Sequence, residues 1–216
     1  MEDDYYMDQI TYDHMGKARF IVHEKGNPDP VEMDLDVPGE HNIWNAMAAI
    51  AVGRELNLSM EVIHQGLHQF AGTHRRFEKK GELGGITIVD DYAHHPDEIK
   101  VTLEAARKCD CSRIVCIFQP HTYTRTKAFM DEFAEALSLA DQVVLAEIYP
   151  ARETDTLGIS SEDLYKKLLE RGVDVHYFPT FDAIENFLLK NSVNGDLLIT
   201  MGAGDVVNIG EKLLGM

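Results

Sequence analysis

The chain has 216 residues, of which 44% are hydrophobic, and this is enough apolar material to build the core of one or two domains. Its 37 acidic and 20 basic residues give a formal net charge of −17, and such a surface repels nucleic-acid phosphates. No apolar run approaches the roughly 20 residues of a membrane span, and the acidic N-terminal segment is unlike a signal peptide. With an odd number of cysteines, these features predict a cytoplasmic globular protein without a nucleic-acid or membrane partner.

The first third of the chain predicts a strand pair followed by two helices. Residues 18–22 and 31–37 alternate apolar and polar side chains on either side of the turn sequence Gly26-Asn27-Pro28, as in an antiparallel pair. Helix-forming residues follow over 41–56, and a second helix is expected over 60–70. Two strands and two helices bury little apolar surface on their own, so this part is expected to be the end of a larger domain.

After residue 73, short apolar runs alternate with amphipathic stretches, and the domain boundary is expected between residues 73 and 74. The alternation is typical of βαβ units, and the right-handed crossover rule then predicts a doubly wound α/β domain with a parallel sheet. The predicted strands cover residues 86–89, 114–118, 143–146, 175–178 and 197–201. The predicted helices cover residues 97–107, 127–139, 160–171, 180–190 and 205–214.

The first predicted helix begins with polar side chains. His41 and Asn45 are four residues apart, and Asn42 and Asn45 are three apart, so these side chains share one face at the N-terminal end of the helix. Amides can both donate to and accept from the edge of a purine base, and a helix N-terminus favours anions. The alternative is a helix cap followed by polar residues of the first turn.

Two arginines, Arg75 and Arg76, follow the predicted domain boundary. In an acidic protein, paired guanidinium groups are candidate phosphate ligands, because each can bind two oxygens at once. The alternative is a solvated basic turn. The change of pattern here also predicts a hinge at residues 74–77, for which Gly72 supplies backbone freedom.

The strand predicted over 86–89 leads directly into two acids, a phenol and two imidazoles within six residues. They are Asp90, Asp91, Tyr92, His94 and His95. Open α/β sheets bind ligands at the carboxyl ends of their strands, so this position favours a functional site. Pro96 is expected to open the next helix, with Asp97 and Glu98 in its first turn. A metal cluster, as in a metal-dependent hydrolase, is the main rival interpretation.

Residues 119–126 follow the strand predicted over 114–118 and therefore occupy the same edge of the sheet. This segment contains His121 and Arg125, and Arg125 is the cation best placed there to hold a carboxylate. For the three threonine hydroxyls in the segment, the alternative is capping of the helix that follows.

Together these segments resemble the Mur ligases, the amide ligases of bacterial cell-wall synthesis. The resemblance is strongest to the branch that joins L-alanine to UDP-N-acetylmuramate. The branch that recycles a tripeptide onto UDP-N-acetylmuramate is the nearest alternative, and a non-catalytic α/β binding module is an alternative of another class. The matching segments are residues 39–42 with 45, 70–72 with 75–77, 90–96, 121–126 and 148–153.

The resemblance implies that residues 1–73 are the C-terminal part of the central, ATP-binding domain and residues 74–216 the C-terminal, Rossmann-like domain. It also implies that ATP and Mg²⁺ convert the muramyl carboxylate into an acyl phosphate, which the amine of L-alanine attacks. No Gly-x-x-x-x-Gly-Lys-Ser/Thr phosphate-binding loop occurs in the 216 residues. The chain alone is therefore expected to be inactive without its N-terminal half, as a truncated piece or one product of a divided gene.

By position in the family's motifs, the resemblance assigns two groups of site residues and no metal ligand. The nucleotide group is His41, Asn42, Asn45, Arg76, Asp91 and Tyr92. The group for L-alanine and UDP-N-acetylmuramate is Tyr92, His94, His95, His121 and Arg125. His94 and Arg125 are the expected catalytic residues, with Arg125 holding the carboxylate of L-alanine. Some members of the family carry a second arginine where this chain has Thr122, so the division of roles at the carboxylate stays open.

Overall fold

Residues 3–216 are described by the computed structural model, and they form two units. The first unit comprises the described residues up to Gly72 together with Ala105–Asp110, and the second comprises Thr73–Glu104 and Cys111–Met216. Within the described residues, no helix has the length and apolar character needed to cross a membrane.

The first unit combines an antiparallel sheet with two helices. Its described elements are β1 (Tyr5–Tyr12), β2 (Lys17–Glu24), β3 (Val31–Pro38), α1 (Glu40–Glu55) and α2 (Met60–His68). The strands pair in the order β1-β2-β3. Alternate residues of β2, such as Phe20 and Val22, are buried with Ile43 and Ile50 of α1, as the period of two in a strand requires.

The predicted strand pair and both helices of this unit are confirmed, but β1 was not predicted. Most side chains of β1 are exposed, so no hydrophobic alternation marks it in the sequence. The pairing also shifts register between Asp8 and Thr11, where Gln9 has a φ of 52°. Such a bulge breaks the period of two on which strand prediction depends.

The second unit contains one mixed, mostly parallel sheet flanked by helices, which confirms the predicted fold class. Its described strands are β4 (Glu78–Leu83), β5 (Ile86–Asp91), β6 (Arg113–Phe118), β7 (Gln142–Leu145), β8 (Asp174–Tyr177) and β9 (Asp196–Met201). Its described helices are α3 (Pro96–Ala106), α4 (Tyr123–Ala128), α5 (Met130–Leu137), α6 (Ser161–Glu170), α7 (Phe181–Asn191) and α8 (Val207–Leu213). The strand order is β4-β5-β9-β6-β7-β8, with β4 alone antiparallel to its neighbour among these strands.

Two features of the second unit differ from the sequence predictions. The strand β4 was missed because its residues Glu-Lys-Lys-Gly-Glu-Leu are mostly charged, as is common for an edge strand. The helix predicted over 127–139 is divided into α4 and α5 at Phe129, whose φ of −118° is not helical.

The topology brings the segments that follow five strands to one edge of the sheet. The parallel strands β5, β6, β7, β8 and β9 all end at this edge, because parallel neighbours point in the same direction. The last strand, β9, lies between β5 and β6, so the loops that follow β5 and β6 come from either side of it. An edge of this kind is the usual ligand-binding position of an open α/β sheet.

Candidate active site

Four aromatic side chains from the loops after β5, β6 and β7 meet at the carboxyl edge of the second unit. The ring of His94 lies 5.4 Å from the ring of Tyr92 and 5.9 Å from that of His121, measured between centroids. The ring of His121 stacks on Tyr149 at 5.6 Å. The structure thus brings together residues that lie 57 positions apart in the sequence, from Tyr92 to Tyr149.

Arg125 reaches this group from the first turn of α4. Thr122 caps the helix with a φ of 67°, and its hydroxyl accepts a hydrogen bond from the backbone N–H of Arg125 at 3.4 Å. Nη1 of Arg125 lies 3.4 Å from Nδ1 of His121. A guanidinium group only donates, so Nδ1 of His121 is the acceptor. Burial, together with the charges of Arg125 and His94, holds the pKa of His121 below its usual value.

The guanidinium of Arg125 is available to an anionic ligand. Within residues 3–216 its side-chain partner is His121, and no carboxylate pairs with it. In a chain with a net charge of −17, an arginine without a carboxylate partner is a candidate receptor for the carboxylate of a ligand.

His94 is held by the turn that contains it and by Glu98. Its Nδ1 lies 2.9 Å from the carbonyl oxygen of Tyr92 and 3.3 Å from Oε2 of Glu98. The same Oε2 accepts hydrogen bonds from the backbone N–H groups of His94 and His95 at 3.0 and 3.3 Å. Burial alone would raise the pKa of Glu98, but these bonds and the nearby charges of His94 and Arg76 hold it below its usual value.

Glu98 lies in the first turn of α3, as its position after Pro96 predicts, but the sequence pattern alone indicates no role for it. A signal for its contact was present, because an acidic residue at the third helical position often reaches back to the N–H of the capping residue. Here the capping residue is His95, and Pro96 opens the helix as predicted.

The adjacent arginines have opposite environments. The Arg75 side chain is 15% exposed, and its Nε donates to Oδ2 of the buried Asp90 at 2.7 Å. Its Nη2 and Nη1 donate to the carbonyl oxygens of Gly202 and Gly204 at 2.8 and 3.1 Å. The Arg76 side chain is 51% exposed, and its nearest acid is Glu98 at 3.7 Å. Arg75 is committed to the fold, so Arg76 is the candidate phosphate ligand of the pair.

Two other residues, Asp91 at the end of β5 and His95 after it, are engaged by the protein itself. The carboxylate of Asp91 accepts hydrogen bonds from the backbone N–H groups of Phe77 and Ala93, each at 2.8 Å. Burial raises the pKa of Asp91, and these bonds oppose the shift. The ring of His95 packs on Phe129 at 4.8 Å, outside the cluster of His94 and His121.

These contacts bear on the metal-cluster interpretation. Asp90 is engaged by Arg75, and its Oδ1 accepts a hydrogen bond from the hydroxyl of Thr200 at 2.7 Å. In the part of the chain that the structure describes, no three His, Cys, Asp or Glu side chains form a group that could hold a metal ion. The rival interpretation as a metal-dependent hydrolase therefore has no supporting geometry.

The predicted adenine contacts lie in the first unit, at the start of α1. Nδ2 of Asn45 donates to Oδ1 of Asn42 at 3.2 Å, and Nδ2 of Asn42 donates to the carbonyl oxygen of Pro38 at 2.7 Å. Asn42 therefore also braces the turn from β3 into α1. Gly39 has a φ of 99° in this turn, and a Cβ there would lie 2.5 Å from the ring of His41.

Comparison with known proteins places these residues in a family. Residues 75–204 match the family model described as Mur ligase, glutamate ligase domain. The UDP-N-acetylmuramate–L-alanine ligase of Agathobacter rectalis is 57% identical over 211 residues, which cover 98% of this chain and 46% of the relative. The ligase of the same name from Caldanaerobacter subterraneus is 47% identical over 213 residues, covering 99% and 46%.

Solved structures give the same result. The UDP-N-acetylmuramate-alanine ligase MurC of Thermotoga maritima superimposes with a TM-score of 0.83 at 28% identity, covering 99% of this chain and 46% of that chain. A murein peptide ligase of Psychrobacter arcticus gives a TM-score of 0.66 at 25% identity, covering 99% and 44%.

The chain spans about half the length of the curated relatives that it matches. The matched region, residues 75–204, is more than half of this chain and contains Arg76, Tyr92, His94, His121 and Arg125. The predicted resemblance, to the C-terminal part of these enzymes, is therefore confirmed. The chain belongs to the Mur ligase family.

Proposed function

We propose that this chain forms part of an ATP-dependent ligase that joins L-alanine to UDP-N-acetylmuramate in peptidoglycan precursor synthesis. The observation that carries the proposal is the guanidinium of Arg125, which has no carboxylate partner in residues 3–216 and lies beside His121. An amino acid presents a carboxylate and an ammonium group close together. A guanidinium without a carboxylate partner, beside the imidazole of His121 and with His94 next to that imidazole, suits this pair of groups. Relatives named as L-alanine ligases, up to 57% identical, support the choice of amino acid.

In this proposal, different residues of the second unit contact the carboxylate and the amine of the amino acid. Arg125 binds the carboxylate of L-alanine, and His121 completes the surface next to it. His94 lies beside the amine, and Tyr92 lines the space next to His94. The amine attacks an acyl phosphate formed from the muramyl carboxylate and ATP. Negative charge develops on the carbonyl oxygen as the tetrahedral carbon forms, and fixed cations and donors stabilise it.

In the proposal, residues of both units contact the nucleotide. His41, Asn42 and Asn45 contact the adenine side, and Arg76 contacts a phosphate of ATP. Tyr92 is exposed enough for direct contact, whereas Asp91 is 4% exposed and acts through the backbone it holds. His95 is also a proposed substrate contact. Mg²⁺ is the proposed cofactor of the reaction, and no ligand for it is assigned to this chain, since the described residues form no metal-binding group.

The proposed compartment is the cytoplasm, in agreement with a chain that has three cysteines among 216 residues.

The 216-residue chain alone is expected to release no phosphate from ATP, because no Gly-x-x-x-x-Gly-Lys-Ser/Thr loop is present to hold the β- and γ-phosphates. The measurement is phosphate release with and without UDP-N-acetylmuramate and L-alanine. Phosphate release by the chain alone that depends on both substrates would contradict this prediction.

The proposed function is tested by adding the N-terminal half of the Agathobacter rectalis relative in trans. Phosphate release is then expected to require ATP, UDP-N-acetylmuramate and L-alanine together. Replacing L-alanine with the tripeptide tests the recycling alternative, which predicts activity with the tripeptide instead. The positive control is the Agathobacter rectalis enzyme divided at the same position. If its own two halves are active in trans while neither substrate supports turnover with this chain, the proposed function is wrong.

A further inference from the structure

The carboxylate of Glu98, at the start of α3, lies near two of the proposed site residues, His94 and Arg76. Its Oε2 accepts hydrogen bonds from the backbone of His94 and His95 and lies 3.3 Å from Nδ1 of His94. Its Oε1 lies 3.7 Å from Nη1 of Arg76. One side chain thus adjoins the residue proposed for the amine and the residue proposed for phosphate, although the proposed function gives it no part.

The groups around Nδ1 of His94 determine where the imidazole carries its proton. The two groups within 3.3 Å are the carbonyl oxygen of Tyr92 and the carboxylate of Glu98. Neither an ionised carboxylate nor a carbonyl can donate, so the proton of the neutral imidazole lies on Nδ1. Nε2 keeps its lone pair, and the His94 side chain is 23% exposed, so a ligand can reach it.

We propose that Glu98 is a positioning residue that keeps Nδ1 of His94 protonated, so that Nε2 accepts a proton from the ammonium group of the incoming amino acid. This role rests on the proposed ligase function. The arrangement has the logic of a carboxylate that orients a catalytic imidazole and stabilises the imidazolium ion formed from it. Glu98 makes no contact with the reacting atoms and acts through His94.

The step balances without a further reactant. Nε2 of His94 takes one proton from the ammonium group, and the freed lone pair of the nitrogen forms the bond to the acyl carbon. The bond from that carbon to the phosphate oxygen then breaks. The remaining excess proton on the nitrogen leaves with the inorganic phosphate. The imidazolium keeps its Nδ1–H towards Tyr92 and Glu98, and the charge of Glu98 stabilises it.

The positioning role is measured on the 216-residue chain by ¹⁵N NMR of His94 in alkaline solution, where the imidazole is neutral. The wild type is expected to show the Nδ1–H tautomer alone. Glu98→Ala removes one of the two acceptors at Nδ1 together with the hydrogen bonds that hold the turn, and it is expected to give a mixture of tautomers. Asp97→Ala is the matched control, because it removes a 91% exposed carboxylate from the same helical turn and should leave the wild-type spectrum. An Nε2–H tautomer in the wild type, or an unchanged spectrum in a folded Glu98→Ala variant, overturns the proposal.

Hydroxylamine separates the role of Glu98 from the proposed function in the reconstituted ligase. It is a neutral nucleophile near neutral pH, so its attack on the acyl phosphate needs no proton acceptor. Glu98→Gln, which keeps an oxygen for the backbone N–H groups, is expected to slow L-alanine ligation about tenfold or more while hydroxamate formation stays within about twofold. Equal losses with both nucleophiles would overturn the role of Glu98. Absence of hydroxamate with the wild type would instead contradict the proposed function, and the tautomer measurement would still decide whether Glu98 positions His94.

Discussion

Replacing Arg75 with alanine is expected to lower the free energy of unfolding of the second unit by about 3–5 kcal/mol. The substitution leaves the carboxylate of Asp90, which is fully buried, without its cation. It also leaves the carbonyl oxygens of Gly202 and Gly204 without their side-chain donor. Removing one partner of a buried pair costs far more than the pair contributes, because an uncompensated charge stays in a low-dielectric interior.

Urea unfolding followed by circular dichroism measures this loss, with a constant m-value as the sign that stability alone has changed. Arg76→Ala is the matched control, since it removes an exposed arginine one residue away and should change stability by about 0.5 kcal/mol or less. Arg75→Lys keeps the charge but not the planar fork, so an intermediate loss is expected. A loss of less than about 1 kcal/mol for Arg75→Ala would show that the second unit tolerates the buried carboxylate of Asp90 without this partner.

Replacing Arg125 with alanine is expected to raise the KM for L-alanine about ten- to a hundredfold in the reconstituted ligase. The reason is the loss of a charge-assisted hydrogen bond to the carboxylate, which is worth about 1.5–3 kcal/mol. The KM for ATP should stay nearly unchanged. The described contact of the Arg125 side chain is His121, whereas the proposed phosphate ligand is Arg76. Steady-state kinetics with each substrate varied in turn measures both constants.

Lys127→Ala is the control for Arg125→Ala. It removes a cation from the same short helix, but its Nζ donates to the carbonyl oxygen of Leu157 at 2.9 Å instead of adjoining His121. We expect its KM for L-alanine to match the wild type. An unchanged KM for L-alanine in Arg125→Ala would remove Arg125 from the amino-acid site, and equal increases in both variants would indicate a general effect of charge.

Much of the second unit could be predicted from the sequence because its central strands are buried on both faces. Strands such as β6 and β9 are then continuous apolar runs, which stand out between amphipathic helices. The same pattern also predicts that the segments after β5 and β6 lie at one sheet edge. The strands β1 and β4 were missed because the exposed side chains of one and the charged side chains of the other leave no apolar alternation to detect.

The roles of individual site residues depended on tertiary structure. Arg75 and Arg76 are the same residue type at adjacent positions, and no local pattern separates them. The fold buries the side chain of Arg75 against Asp90, whereas the side chain of Arg76 is half exposed. In the same way, Asp91 and His95 belong to a segment rich in reactive groups, yet backbone donors engage the first and Phe129 packs against the second.

The sequence by itself determined the α/β class and the edge of the sheet on which the candidate site lies, because these follow from periodicity along the chain, and its motifs resemble those of the Mur ligase family. Only the tertiary structure decided which side chains at that edge are free to bind a ligand. Availability depends on burial and on hydrogen-bond partners, and partners such as Gly202 for Arg75 lie more than a hundred residues away in the chain. The tautomer of His94 also depends on the tertiary structure. It follows from the positions of two acceptor oxygens, and packing sets these positions.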